Sequence, residues 1–119
     1  MKIRDIKELL NAEVLCYEEG LDKEVNSACG SDMMSDVLAY VKDQAVLLTG
    51  LLNPQVIRTA EMMDMVCIVF VRNKKPTEEM IKLARQLEMV VLTTDLRMYN
   101  ACGRLYSEGL GSSKVNGEV

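Results

Sequence analysis

The chain reads as an α/β protein, a three-layer α/β/α domain around a mostly parallel, mixed sheet. Three continuous apolar runs, within residues 44–49, 66–71 and 89–93, predict the sheet. Strands that lack polar alternation are covered on both faces, the habit of parallel sheets. Segments of helical period follow each run, and short connections join them, so strand and helix alternate through the second half.

Residues 2–11 carry Ile3, Ile6, Leu9 and Leu10 at helical spacing. Residues 13–17 form a short strand, and Glu18-Glu19-Gly20 turns the chain, with Gly20 free to take positive φ. Val25, Ser27 and Cys29 alternate along a second strand over residues 24–29. These first strands are expected at the sheet edge, antiparallel to part of it. Ser31-Asp32 opens a helix running to Val41. After the 44–49 strand, Asn53 caps a helix whose first position is Pro54. After the 66–71 strand, Arg72-Asn73-Lys74-Lys75 reads as a solvated basic loop. Pro76-Thr77-Glu78-Glu79 starts the next helix, with acidic residues suited to its first turn. Thr94 or Asp95 caps the last helix, which runs to Glu108 and ends at Gly109-Leu110-Gly111. One domain over residues 1–111 with a disordered tail over 112–119 is the expected organisation.

Composition removes several functions. The chain has no histidine, the commonest general base and metal ligand. It has no GxxxxGK[ST] and no GxGxxG. The net charge of -4 is mild, its signs are interspersed, and no basic face is set up for nucleic acid. No apolar stretch is long enough for a membrane span. With no signal-type apolar segment after Met1-Lys2-Ile3-Arg4-Asp5, a cytoplasmic location is expected. Cys16, Cys29, Cys67 and Cys102 match no zinc spacing and read as small core hydrophobes, so neither metal nor cofactor is expected. Most of the nine methionines read as core, with a few left for a subunit interface.

From residue 14 to 110 the chain resembles the DRTGG domain family. The resemblance is carried by Glu19-Gly20, Ser31-Asp32-Met33-Met34-Ser35-Asp36-Val37-Leu38, Leu48-Thr49-Gly50 and Asn53-Pro54-Gln55. It continues in Val69-Phe70-Val71, Lys75-Pro76-Thr77-Glu78-Glu79, Leu92-Thr93-Thr94-Asp95 and Ala101-Cys102-Gly103-Arg104-Leu105-Tyr106. It implies a fold like the N-terminal domain of HPr kinase/phosphorylase and a regulatory or associative role, as in the inserts of CBS-domain pyrophosphatases. The kinase activity belongs to a different, P-loop-bearing domain, so this chain is expected not to be an enzyme. A glycine pair often found in the family after the strand that corresponds to residues 66–71 is replaced here by Asn73-Lys74.

Three segments each follow a strand and precede a helix. Ser31, Asp32, Ser35 and Asp36 either cap a helix or form a polar rim for a cation, amine or sugar hydroxyl. Thr49 and Gly50, with the helix start at Asn53 and Gln55, either make an ordinary turn or hold an anionic group. Thr93, Thr94 and Asp95 complete the set. In parallel sheets such ends gather on one edge, where ligands bind. The expectation is therefore a regulatory domain that binds a nucleotide or sugar phosphate there and forms a homodimer. The alternatives are an interaction module docking a partner enzyme, and a carboxylate-only enzyme using Asp32, Asp36 and Asp95.

Overall fold

The computed structural model describes residues 1–40 and 44–111. The expected tail over 112–119 and the end of the second helix at Val41 lie outside the described residues. In chain order the elements are α1 (Ile3–Leu9), β1 (Glu13–Cys16), a 3-10 turn (Glu18–Gly20), β2 (Ser27–Gly30), α2 (Met34–Tyr40), β3 (Ala45–Thr49), α3 (Pro54–Met62), β4 (Cys67–Phe70), α4 (Glu78–Gln86), β5 (Val90–Thr93) and α5 (Met98–Ser107).

The five strands lie in the order β1-β5-β4-β3-β2. Strands β2 to β5 are parallel and β1 is antiparallel to β5, so the sheet is mixed. Side chains alternate across it. Val46, Leu48, Val69, Val90 and Leu92 face α1 and α5. Leu47, Ile68, Phe70 and Val91 face α2, α3 and α4. Every residue of β3, β4 and β5 is buried, which is why their sequences carry no alternation.

Several expectations need correction. Of the two early strands only β1 runs antiparallel; β2 is parallel to β3 and starts at Ser27 rather than Glu24. The backbone before Ser27 bonds elsewhere: the Val25 amide donates to the Met1 carbonyl at 2.7 Å. The left-handed residue of the first turn is Tyr17 (φ 56°), not Gly20. Neither Thr94 nor Asp95 caps the last helix; Arg97 holds that position and α5 starts at Met98. The Thr94 hydroxyl is otherwise engaged, donating to the Leu10 carbonyl at 2.7 Å and accepting from the Leu96 amide at 3.3 Å.

Both sheet edges are blunted. A register irregularity between Val14 and Cys16 breaks β1. On β2, the Ala28 amide donates to the Gly111 carbonyl at 2.8 Å, so the chain leaving α5 covers that edge. Helix α5 packs closely on β2 because Gly30 lacks a Cβ; one placed there would sit 2.6 Å from the Cys102 sulfur.

Candidate functional site

The carboxyl ends of β2, β3, β4 and β5 share one edge, as parallel strands require. Asp32, just past β2, reaches the end of β3. Its Oδ1 accepts from the Thr49 hydroxyl at 2.9 Å and from the Gly50 amide at 2.7 Å. The Thr49 hydroxyl also accepts from the Leu51 amide at 3.2 Å. The loop after β4 comes next. A Cβ on Gly50 would collide with the Arg72 guanidinium, so Arg72 lies against the bare backbone there. The Arg72 amide donates to the Leu96 carbonyl, and the Asn73 amide to the Thr94 carbonyl, each at 2.8 Å. These bonds lace the β4 loop to the turn after β5.

The result is a cavity of about 410 Å³ walled by Gly30, Ser31, Asp32, Val71, Arg72, Arg97, Met98 and Tyr99. Two arginines line it, and among the described residues neither is held in an ion pair. The Arg97 side chain makes no capping bond at the start of α5. Guanidinium groups with free donors suit a phosphate or carboxylate.

The expected site residues divide. Ser31, Asp32, Thr49 and Gly50 come together at the cavity's β3 side. The Ser31 hydroxyl also accepts from the Met33 amide at 3.0 Å, a local turn. Ser35 and Asp36 lie on the exposed first turn of α2. Asn53 caps α3, accepting from the Gln55 amide at 2.8 Å. The Thr93 hydroxyl donates to the Lys74 carbonyl at 2.8 Å, and Thr94 is tied to Leu10 on the α1 side. Asp95 is exposed on the turn after β5. Two strands, β3 and β4, lie between β2, which Asp32 follows, and β5, which that turn follows. Among the described residues no three histidine, cysteine or acidic side chains form a metal cage.

Sequence reasoning passed over Arg72, Arg97 and Tyr99. Arg72 was legible only as part of a basic loop. What marks it in the structure is backbone: Arg72 and Asn73 both have positive φ, 57° and 56°. Successive residues of this kind are uncommon and point to a turn held by its surroundings.

A small α/β domain with a cationic cavity at the carboxyl edge of its parallel strands is the class that fold and geometry define. The chain belongs to the DRTGG domain family, whose model matches residues 5–107. A similar solved structure is the regulatory region of Clostridium perfringens pyrophosphatase, comprising CBS and DRTGG domains complexed with its activator, diadenosine tetraphosphate. The likeness has a TM-score of 0.69 at 17% identity and covers 99% of this chain and 52% of that one. This chain therefore spans about half of that regulatory region. No curated protein matches the chain. No helix among the described residues is long and apolar enough to cross a membrane.

Proposed function

We propose that this chain is a non-catalytic regulatory domain that binds a small phosphorylated metabolite in the Arg72–Arg97 cavity. The observation that carries the reading is the pair of guanidinium groups, in no ion pair among the described residues, on one cavity at a parallel-sheet carboxyl edge. Asp32 supports it as a builder: by holding Thr49 and Gly50 it fixes the wall against which Arg72 lies. The family and the pyrophosphatase regulatory region agree with a regulatory role. The absence of histidine and of a phosphate-binding loop agrees with a domain that performs no phosphoryl transfer.

The test is calorimetry with inorganic pyrophosphate and ribose 5-phosphate. Binding is expected for the wild type, and its loss in the Arg72→Gln, Arg97→Gln double variant. Incubation with labelled ATP and HPr is expected to give no phosphoserine. Absence of any phosphate binding, or kinase activity that survives repurification, overturns the reading.

A second reading, association with another copy or with a partner enzyme, is favoured by one observation. Met33 and Met62 stand 60% and 65% exposed, and Leu38 and Leu52 are each 42% exposed, around α2 and α3. Both sheet edges being blunted, this apolar surface is the better candidate for a homodimer. Light scattering should give twice 13.3 kDa for the wild type and 13.3 kDa for a Met33→Glu, Leu38→Glu variant. A wild-type mass of 13.3 kDa at every concentration overturns this second reading.

A further inference from the structure

The arginine cavity does not end at Tyr99. A second groove of about 350 Å³ shares Gly30 and Tyr99 with it and runs on along α5, over Ala28, Cys102 and Gly103 to Tyr106. The two have opposite chemistry. The first holds Arg72, Arg97 and Asp32, whereas no charged side chain lines the second.

Tyr99, Gly103 and Tyr106 are spaced four and three residues apart, so they share one face of α5. Tyr99 is 88% exposed and Tyr106 75%, so both rings keep most of their area free for a ligand. Gly103 leaves the floor between them bare, for a Cβ added there would meet nothing within 4 Å. The Gly111 carbonyl already occupies the Ala28 amide, so a partner strand cannot pair with the sheet at that residue. What remains is an apolar slot flanked by two tyrosines, continuous with a pair of cationic donors.

We propose that the ligand is a nucleotide, its phosphate at Arg72 and Arg97 and its base in the slot between Tyr99 and Tyr106. Asp32 belongs to the match. Its Oδ1 is taken by Thr49 and Gly50, and Asp32 is one of the residues lining the cavity, so its second carboxylate oxygen is the acceptor assigned to a ribose hydroxyl. A free phosphate would use the arginines alone, and an apolar ligand would leave them unpaired. Only a molecule with an anionic end, a hydroxylated middle and an aromatic end uses the whole surface. Base stacking on aromatic side chains adds about tenfold or more in affinity.

This inference rests on the phosphate reading above, and the experiment separates the two. The full chain is titrated with AMP, GMP, ribose 5-phosphate and adenosine. At least one nucleotide should bind about tenfold or more tightly than ribose 5-phosphate, with adenosine weakest. Gly103→Leu fills the slot at an exposed helical position that has room for a side chain. It should bring the nucleotide down to the affinity of ribose 5-phosphate and leave the sugar phosphate unchanged. Tyr99→Ala, at a largely exposed ring, should reduce nucleotide affinity in the same direction. Equal binding of nucleotides and ribose 5-phosphate, or a Gly103→Leu variant that keeps the nucleotide advantage, overturns the nucleotide assignment and leaves the phosphate site standing. Failure of all four probes, and of pyrophosphate with them, overturns both. Light scattering of wild type and Tyr99→Ala checks the rival occupant: a dimer lost on this substitution would assign the slot to a second copy.

Discussion

Asp32 and Thr49 are joined across neighbouring strands, the threonine hydroxyl donating to the Asp32 Oδ1 at 2.9 Å. The bond ties the loop after β2 to the end of β3, and Thr49 is buried where it forms. Removing the hydroxyl strands part of a carboxylate's hydrogen bonding. Thr49→Val, close to the same shape, is expected to destabilise the fold by about 1.5–3 kcal/mol, the range for a hydrogen bond to a charged group. Asp36→Asn, on the exposed first turn of α2, should cost no more than about 1 kcal/mol through the helix dipole alone. Urea unfolding of both variants decides it; equal effects would show that the Asp32–Thr49 bond contributes little.

Arg72 combines a functional side chain with an unfavourable backbone. Its φ of 57° is one that residues with a Cβ adopt at a cost of about 1–2 kcal/mol. Glycine removes that cost but adds about 0.5–1 kcal/mol of unfolded-chain entropy. Arg72→Gly is therefore expected to fold as stably as the wild type or up to about 1.5 kcal/mol more so. Its affinity for ribose 5-phosphate should nevertheless fall. Thermal unfolding and calorimetry on the same preparation check the two halves, and a loss of stability would mean that Arg72 holds the loop through its side chain.

Much of the architecture was legible because burial leaves a simple mark. The runs around Leu47, Ile68 and Val91 are apolar without alternation, and each became a fully buried strand. Asn53-Pro54 was legible as a helix start because capping chemistry is local. The start of α5 was misread because the Thr94 hydroxyl, an apt cap by type, is drawn to Leu10, a partner 84 residues away that local spacing cannot show. Asp32 was found by residue type, but its bonds to Thr49 and Gly50 depend on β2 lying beside β3. Arg72 and Arg97 were missed as a pair because they converge only through the sheet, and an arginine in sequence looks the same on a solvated loop.

The cysteines predict a pH dependence. Burial pushes the thiols of Cys16, Cys29, Cys67 and Cys102 up, Cys67 most of all in its fully buried place. An unfolded thiol titrates near about 8.5. Below that pH both states hold their thiol protons, and this source of stability is fully present. Above it the unfolded chain sheds protons that the folded chain keeps, so stability falls as pH rises, by at most about 1.4 kcal/mol per pH unit for each thiol. Urea unfolding in reductant between pH 7 and 9.5 should show that decline, and Cys67→Ala should make it shallower while lowering stability at pH 7. A decline equally steep in Cys67→Ala would assign it to other groups.

Two glycines near the end of the chain should respond oppositely to the same substitution. Gly109 follows Glu108, the residue that caps the end of α5, and has φ +98°. Its amide donates to the Tyr106 carbonyl, and the Leu110 amide to the Leu105 carbonyl, each at 3.0 Å. That pair of bonds closes the helix end, and it requires a left-handed residue at Gly109. Gly109→Ala is expected to cost about 1–2 kcal/mol, the penalty of a Cβ in that conformation. Gly103 lies inside α5, outside the positive-φ residues, and a Cβ there would meet nothing within 4 Å. Gly103→Ala should therefore stabilise the fold by about 0.5–1 kcal/mol, because alanine gives up less backbone freedom in a helix. Space at Gly103 thus goes unused by the fold, which is the condition for a surface kept open for a ligand. If Gly103→Ala instead destabilises, the groove beside Tyr99 is filled by something in the folded chain and the slot assigned to the base does not exist.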